Sequence, residues 1–241
     1  FDLRTMQLLS FIDKKTGENM ISSPSAAFRL IHENLVHGMT AWRVGNAMLV
    51  ENLNETRNVT VEKIDLTSVR KSVTYTLEFG YRSKLKVKVV LDDASEMLDF
   101  NVEVEFLEAC EKDNIPQLNF IVPVAYGVAN YRYDVPFGTI DRPAIKHDVP
   151  SNSYSVAIRE DGEDKPSVMV VTDTKYGFRG ADQAMAVSLI RATKDPDPYP
   201  EYGKHNIRIG VGIVGNAEPQ TLYRVRSRFV HPLAIVSACS G

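Results

Sequence analysis

The stretch VTYTLEFGYRSKLKVKVVLDDASEMLDFNVEVEF, residues 73–106, decides the fold class because apolar and polar residues alternate through most of it. Tyr75, Leu77 and Phe79 occupy every second position of the first run, and two further runs repeat the pattern at 85–91 and 98–106. Successive side chains of a β-strand point to opposite faces, so each run buries one face and exposes the other. We therefore predict successive antiparallel strands in this stretch.

The polar residues of the second and third runs carry opposite charges. Lysines fill the polar positions of the second run, and acidic residues fill most of those of the third: Lys84, Lys86, Lys88, Asp99, Glu103 and Glu105. Opposite charges on neighbouring strands favour pairing across an antiparallel hairpin. Exposed ion pairs contribute little to stability, so we expect these residues to set the register and to lie in solvent.

Alternation continues along the chain. Residues 154–160 and Ser167–Thr172 flank the acidic, glycine-containing segment 161–164, which is typical of a hairpin turn. Residues 207–213 alternate again, and the arginines at 224, 226 and 228 are interpreted as the wet face of an edge strand. Helical periodicity is weak, with one short candidate helix at residues 25–34. The pattern predicts an all-β protein with two large packed antiparallel sheets and little helix.

Composition restricts the classes of partner and compartment. A hydrophobic content of 44% is enough for a sizeable core, and a net charge of −3 argues against nucleic acid or an anionic membrane as the main partner. No apolar run reaches the length of a transmembrane helix. The two cysteines, Cys110 and Cys239, favour a reducing cytoplasm. The start at Phe1, without a methionine, predicts a fragment or a processed product.

Familiar catalytic and metal-binding motifs do not appear in the sequence. The histidines are scattered, without zinc-ligand spacing: His32, His37, His147, His205 and His231. There is no nucleophile elbow, phosphate-binding loop or dinucleotide fingerprint. The residues by themselves therefore name no nucleophile.

Three segments resemble the C-terminal half of glycoside hydrolase family 38, the retaining α-mannosidases. LLSFIDKKTGENMI (8–21) looks like the entry strand of its β-sandwich, and YRYDVPFGTIDRP (131–143) is similar to its Phe-Gly-x-x-x-Arg-Pro strand. TDTKYG (172–177) followed by SLIRATKDPDPYPEYGKH (188–205) is similar to its Asn-Asp-x-Lys-Tyr-Gly turn and the proline-rich loop after it. The resemblance implies that residues 1–241 form a galactose-mutarotase-like supersandwich.

The resemblance also implies a division of labour. The aspartate nucleophile, the general acid and a zinc ion would lie in an N-terminal catalytic half that is missing from this chain, so the isolated chain is expected to be inactive. The β-sandwich would lend side chains to the outer rim of the pocket for an α-mannoside or oligosaccharide. The matching positions are Tyr133, Asp173 and Lys175. The alternative is that Asp173 and Lys175 only form a capped turn and that Tyr133 belongs to the core. Some relatives carry an arginine where this chain has Thr174, which places a direct contact there in doubt.

Six further residues have structural interpretations. Arg191 is expected to pair with Asp195 or Asp197 in the proline loop. Trp42 is interpreted as core, with a sugar-stacking platform as the alternative. His205 is interpreted as packing at the start of a strand. Pro196, Pro198 and Pro200 stiffen the loop, since proline fixes φ and cannot join a ladder.

Two alternatives stay open at this point. One is a stand-alone carbohydrate-binding sandwich. The other is a mutarotase-like sugar epimerase, which needs a histidine and a carboxylate together, such as His147 or His205 with Glu105. Homo-oligomers are compatible with all three hypotheses.

Overall fold

The computed structural model describes residues 1–34, 38–67, 69–93, 95–112 and 114–232. His37 and Cys239 lie outside them. Fifteen strands and one helix follow in chain order: β1 (Ala27–Asn34), β2 (Asn46–Asn52), β3 (Val59–Asp65), β4 (Arg70–Phe79), β5 (Ser83–Asp92), β6 (Met97–Phe106), β7 (Asn114–Pro123), β8 (Val128–Val135), β9 (Gly138–Arg142), β10 (Ile145–Pro150), β11 (Tyr154–Arg159), β12 (Ser167–Thr172), β13 (Gly177–Ala181), β14 (Ala184–Arg191), β15 (Gly203–Val214) and α1 (Pro219–Val230).

The strands form two antiparallel sheets, as predicted. The six-stranded sheet has the order β10-β13-β14-β7-β1-β2, and the nine-stranded sheet has the order β3-β4-β5-β6-β15-β12-β11-β8-β9. The main core lies between them, where Phe120 of the smaller sheet packs 5.2 Å from Phe100 of the larger one and 5.1 Å from Phe28, measured between ring centroids. The all-β supersandwich prediction is confirmed.

The opening stretch folds as its alternation indicates. Strands β4, β5 and β6 are consecutive neighbours, and Tyr75, Leu77 and Val87 are fully buried. Lys84 lies opposite Glu105 and Lys86 opposite Glu103 in the ladder. The hairpin of β11 and β12 also forms where it was predicted.

The last strand enters the middle of the larger sheet. β15 lies between β6 and β12, although almost a hundred residues separate it from β6 in the chain. A Cβ atom at Gly210 would lie 2.8 Å from the Phe229 ring, and one at Gly212 would lie 2.2 Å from the Met97 sulfur. The two glycines therefore let α1 approach the sheet closely, and a second, smaller core forms beneath the helix.

The structure corrects two predicted elements. Residues 25–34, the candidate helix, mostly form β1, which pairs with both β2 and β7 and so satisfies its backbone in the sheet. The arginine-rich segment, predicted as an edge strand, is α1. Its buried residues Leu222, Val225 and Phe229 are three and four positions apart, which is helical spacing, and Pro219 occupies the first turn.

Among the described residues, no helix is both long and apolar enough to cross a membrane.

Candidate functional site

The predicted rim is built on the turn between β12 and β13. The Thr172 hydroxyl donates to the Lys175 carbonyl at 2.7 Å, which closes the turn from inside. The backbone of Ser151 donates to the Tyr176 carbonyl at 2.9 Å and ties the turn to the neighbouring segment. These contacts hold the turn in one conformation and leave the side chains of Asp173 and Lys175 partly exposed.

The proline loop lies beside this turn. Burial lowers the pKa of Lys175, and the negative charges of Glu201 and Asp173 oppose that shift. The strand pairing agrees, because Thr172 of β12 lies opposite Ile209 of β15, so the turn that follows β12 and the loop that precedes β15 lie at the same end of two neighbouring strands. The half-buried ammonium of Lys175 is a donor that a sugar hydroxyl or an oxyanion can approach from the open side.

The structure does not bring the Tyr133 side chain to this surface. Tyr133 is 1% exposed and belongs to the main core, which also raises its pKa to about 12 through burial. The Arg142 guanidinium lies over its ring at 5.0 Å. The expectation of an exposed rim tyrosine is wrong, because alternation along β8 turns Tyr131 and Tyr133 inward. The residue after it, Asp134, is linked to the turn through the next segment, because its carbonyl accepts the Asn152 amide at 2.8 Å and the Ser153 carbonyl accepts the Thr172 amide at 2.7 Å.

Three exposed tyrosines near the rim escaped the sequence reasoning. Tyr176 follows Lys175 in the turn, and Tyr199 and Tyr202 flank Pro200 in the loop. The rings of the two loop tyrosines meet edge to face with 6.1 Å between their centroids. Exposed rings beside polar groups suit a sugar, whose C–H face packs on the ring while its hydroxyls bond at the edge. The sequence contained a signal for the loop tyrosines, because a loop stiffened by prolines presents the residues that lie between them.

Arg191 braces the base of this loop, with partners other than those predicted. Its guanidinium donates to both carboxylate oxygens of Glu33 at 2.8 Å and to the Arg43 carbonyl at 2.7 Å. A further donation goes to the Thr40 carbonyl. The predicted pairing with Asp195 or Asp197 is therefore wrong. Arg191 points toward β1, because an irregularity in the β14–β7 ladder separates Ser188 from Ile190 and shifts the register there.

The 38–45 segment is fastened to the start of the proline loop. The Thr40 hydroxyl accepts the amides of Lys194 and Asp195 at 2.8 and 2.9 Å. Trp42 lies in this segment and is 65% exposed, so its interpretation as core is wrong.

Two groups of the epimerase hypothesis, His205 and Glu105, have other partners. The His205 ring bonds the Glu201 carbonyl at 2.7 Å, and Glu105 pairs with Lys84 at 2.9 Å. His147 lies on β10, at an edge of the other sheet. Within the described part of the chain, no group of three His, Cys, Asp or Glu side chains is placed to hold a metal ion.

Comparison with known proteins identifies the family. The model of the glycosyl hydrolases family 38 C-terminal domain matches residues 1–199. An α-mannosidase of Saccharomyces cerevisiae is 23% identical over an alignment of 221 positions that covers 84% of this chain and 19% of that protein. The chain thus spans about a fifth of the length of this relative.

Two solved structures from Enterococcus faecalis share the fold. A family 38 glycosyl hydrolase is 16% identical with a TM-score of 0.69, over 91% of this chain and 30% of that one. An α-mannosidase is 15% identical with a TM-score of 0.66, over 92% of this chain and 29% of that one. At these identities the likeness shows the fold alone, whereas the family model covers most of the sequence. The chain belongs to glycosyl hydrolase family 38, and it carries the C-terminal domain of that family.

Proposed function

We propose that the chain is the C-terminal part of a retaining α-mannosidase, in which residues 1–241 form one domain that supports the catalytic half and supplies the outer rim of the sugar site. The observation that carries this proposal is the family match over residues 1–199, which includes the turn at 172–177 and the start of the proline loop. Both segments lie at the same end of the neighbouring strands β12 and β15.

The proposed reaction divides its work between the two halves of the protein. A retaining glycosidase needs a nucleophilic carboxylate and a carboxylic acid, about 5 to 5.5 Å apart. We assign both groups, and the residues that would hold a zinc ion to grip the sugar hydroxyls, to the half outside this chain. Here Lys175 would donate to a hydroxyl, Asp173 would accept from one, and Tyr176 would cover an apolar face of the ring. Such contacts bind and orient the substrate and transfer no proton.

The rim role is tested with Lys175→Met and Asp173→Asn in the full-length protein. Contacts made equally in the ground state and the transition state raise KM and leave kcat nearly unchanged. We expect KM for an oligomannoside to rise about tenfold in each variant, the loss of roughly one charged hydrogen bond. Lys88→Met is the control, because Lys88 lies on the solvent face in the middle of β5. An unchanged KM in both rim variants would contradict the assignment.

The division of labour is tested with the chain alone. We expect no release of nitrophenol from nitrophenyl α-mannoside, with or without added zinc, above a heat-inactivated sample. Turnover that a substitution within residues 1–241 abolishes would show a complete active site in this chain. We further propose a cytoplasmic parent protein, on the low cysteine content. Microscopy of the tagged full-length protein tests this location.

A further inference from the structure

A wide cleft lies between the end of β2 and the tip of the β4–β5 hairpin. Its volume is about 940 Å³, at the upper end of the range of small-molecule sites, roughly 300 to 1,000 Å³. Residues 50–58 contribute one wall and residues 78–84 the other. None of these positions belongs to the rim described above.

One wall of the cleft carries the exposed ring of Tyr81 on a fixed backbone. Tyr81 is 77% exposed at the hairpin tip, although the Arg82 guanidinium lies over its ring at 4.9 Å, so the second face of the ring is open. Glu108 accepts the Tyr81 amide at 2.9 Å and the Ser83 hydroxyl at 2.7 Å. Gly80 has φ +57, which permits the tight tip. The backbone that carries the ring is therefore held in place before any ligand arrives.

The other wall carries the side-chain amides of Asn52 and Asn58, each of which uses only one of its two polar atoms in a hydrogen bond within the described part of the chain. Asn58 donates its Nδ2 to the Leu53 carbonyl at 3.3 Å, and the Asn52 Oδ1 accepts the Asn54 amide at 3.3 Å. Among the residues that the structure describes, Asn58 Oδ1 and Asn52 Nδ2 have no partner. The backbone bonds orient both amides, and the free ends leave one acceptor and one donor for a ligand.

The charges of the cleft balance. Three acids and three bases line it: Glu51, Glu55, Glu78, Arg57, Arg82 and Lys84. A nucleic acid or a strongly charged peptide would need an excess of one sign, and an amphipathic helix would need an apolar wall. A polar lining of zero net charge with one open aromatic ring fits a neutral ligand that has hydroxyls at its edges and an apolar C–H face.

We propose that the cleft between residues 50–58 and 78–84 binds a neutral oligosaccharide, with one sugar ring stacked on Tyr81. The free amide ends and the Arg82 guanidinium bond its hydroxyls. This inference is independent of the proposed glycosidase activity, because it concerns binding by residues that take no part in the rim.

The test is titration of the purified chain with mannotriose, maltotriose and chitotriose, followed by isothermal calorimetry and by NMR chemical-shift changes. We expect at least one trisaccharide to bind, and Tyr81→Ala to weaken it about tenfold, the loss of one stacking contact. Tyr81→Phe keeps the ring and should retain binding. Tyr223→Ala is the matched control, since Tyr223 is a similarly exposed tyrosine on α1. Circular dichroism confirms that each variant is folded.

Salt separates neutral recognition from electrostatic attraction. Binding of a neutral sugar should change by less than about twofold between low and high salt, because salt screens the attraction between charges and an uncharged ligand has none to lose. Failure of all three sugars to bind at millimolar concentration overturns the proposal. So does binding that Tyr81→Ala leaves intact, or binding restricted to an acidic oligosaccharide and lost at high salt.

Discussion

Two regions of this protein contain ion pairs of similar length, one exposed to solvent and the other buried. The exposed ladder, on the outer face of the nine-stranded sheet, joins Lys84 to Glu105 at 2.9 Å, and their side chains are 60% and 33% exposed. The buried network, on the outer face of the six-stranded sheet, joins Arg191 to Glu33 at 2.8 Å, and their side chains are 16% and 3% exposed. Distances are nearly equal, so burial decides what each pair does.

The buried network links two ion pairs through an amide. Gln117 donates its Nε2 to Glu33 at 3.0 Å and to Asp148 at 3.4 Å, and Asp148 accepts from Arg179 at 2.8 Å. Removal of one member would leave a charge without its partner and without water. In the exposed ladder water replaces a missing partner, so single losses are tolerated.

Burial also acts on a cation beside this network. Arg29 donates to the side-chain Oδ1 of Asn119 at 2.7 Å. Its pKa falls to about 10, mainly through burial and secondly through repulsion by Arg179. Its Nε and the Asn119 Nδ2 are buried without a partner in the described part of the chain. Burying polar atoms without hydrogen-bond partners lowers the stability of a folded protein. The outer face of the six-stranded sheet is therefore held together by its charged contacts and is sensitive to their loss.

The largest effect on stability is expected from Arg191→Met. The substitution leaves Glu33 buried and unpaired and frees the carbonyls of Thr40 and Arg43, so we expect the free energy of unfolding to fall by about 3 to 5 kcal/mol. Denaturant unfolding followed by fluorescence and circular dichroism measures the change.

A double-mutant cycle sharpens this prediction. Glu33→Gln together with Arg191→Met should cost clearly less than the sum of the two single changes, because the two residues interact directly. Additive losses would show that the pair is no more than two independent contacts and would remove the contrast with the exposed ladder.

An intermediate effect is expected from Arg208→Leu, at the border between the exposed ladder and α1. Arg208 donates to Asp99 at 2.8 Å and to the Phe229 carbonyl at 2.8 Å, and it lies over the Phe229 ring at 4.1 Å. Loss of these contacts should lower the free energy of unfolding by about 1 to 3 kcal/mol and loosen the helix first. Hydrogen exchange resolved along the chain tests the order, and faster exchange in β15 without any change in α1 would contradict it.

The smallest effect is expected from Lys84→Met, in the exposed ladder. The hydrogen bond from Lys84 lowers the pKa of Glu105, so this contribution is present above the unfolded pKa of a glutamate, about 4.3. It is lost as the pH falls through the lowered pKa of the folded state. The variant should therefore differ slightly from the wild type at neutral pH and not at all in strong acid or high salt. A loss as large as that of Arg191→Met at neutral pH would break the comparison.

The two regions also differ in how much of their structure could be predicted from the sequence. Strands β4 to β6 and the lysine-to-acid register were predictable, because alternation and opposite charge are local properties of consecutive strands. The turn at Asp173 and Lys175 followed from a motif. Tyr133 was assigned to the rim although the alternation along β8 indicated that its ring points inward. Helix α1 was missed because its arginines were interpreted as the alternate residues of a strand, whereas Leu222, Val225 and Phe229 have helical spacing.

By itself, the sequence determined the fold class, the family and the positions of the predicted turn and loop, since each depends on residues that are close together in the chain. Tertiary structure alone decided that Arg191 pairs with Glu33, 158 residues away, and that Tyr81 and Asn58 face one cleft. Pairing across sheets depends on which strands become neighbours and on how deeply each face is covered. Burial sets the strength of a charge pair, and it is a property of the assembled sandwich that no single segment carries.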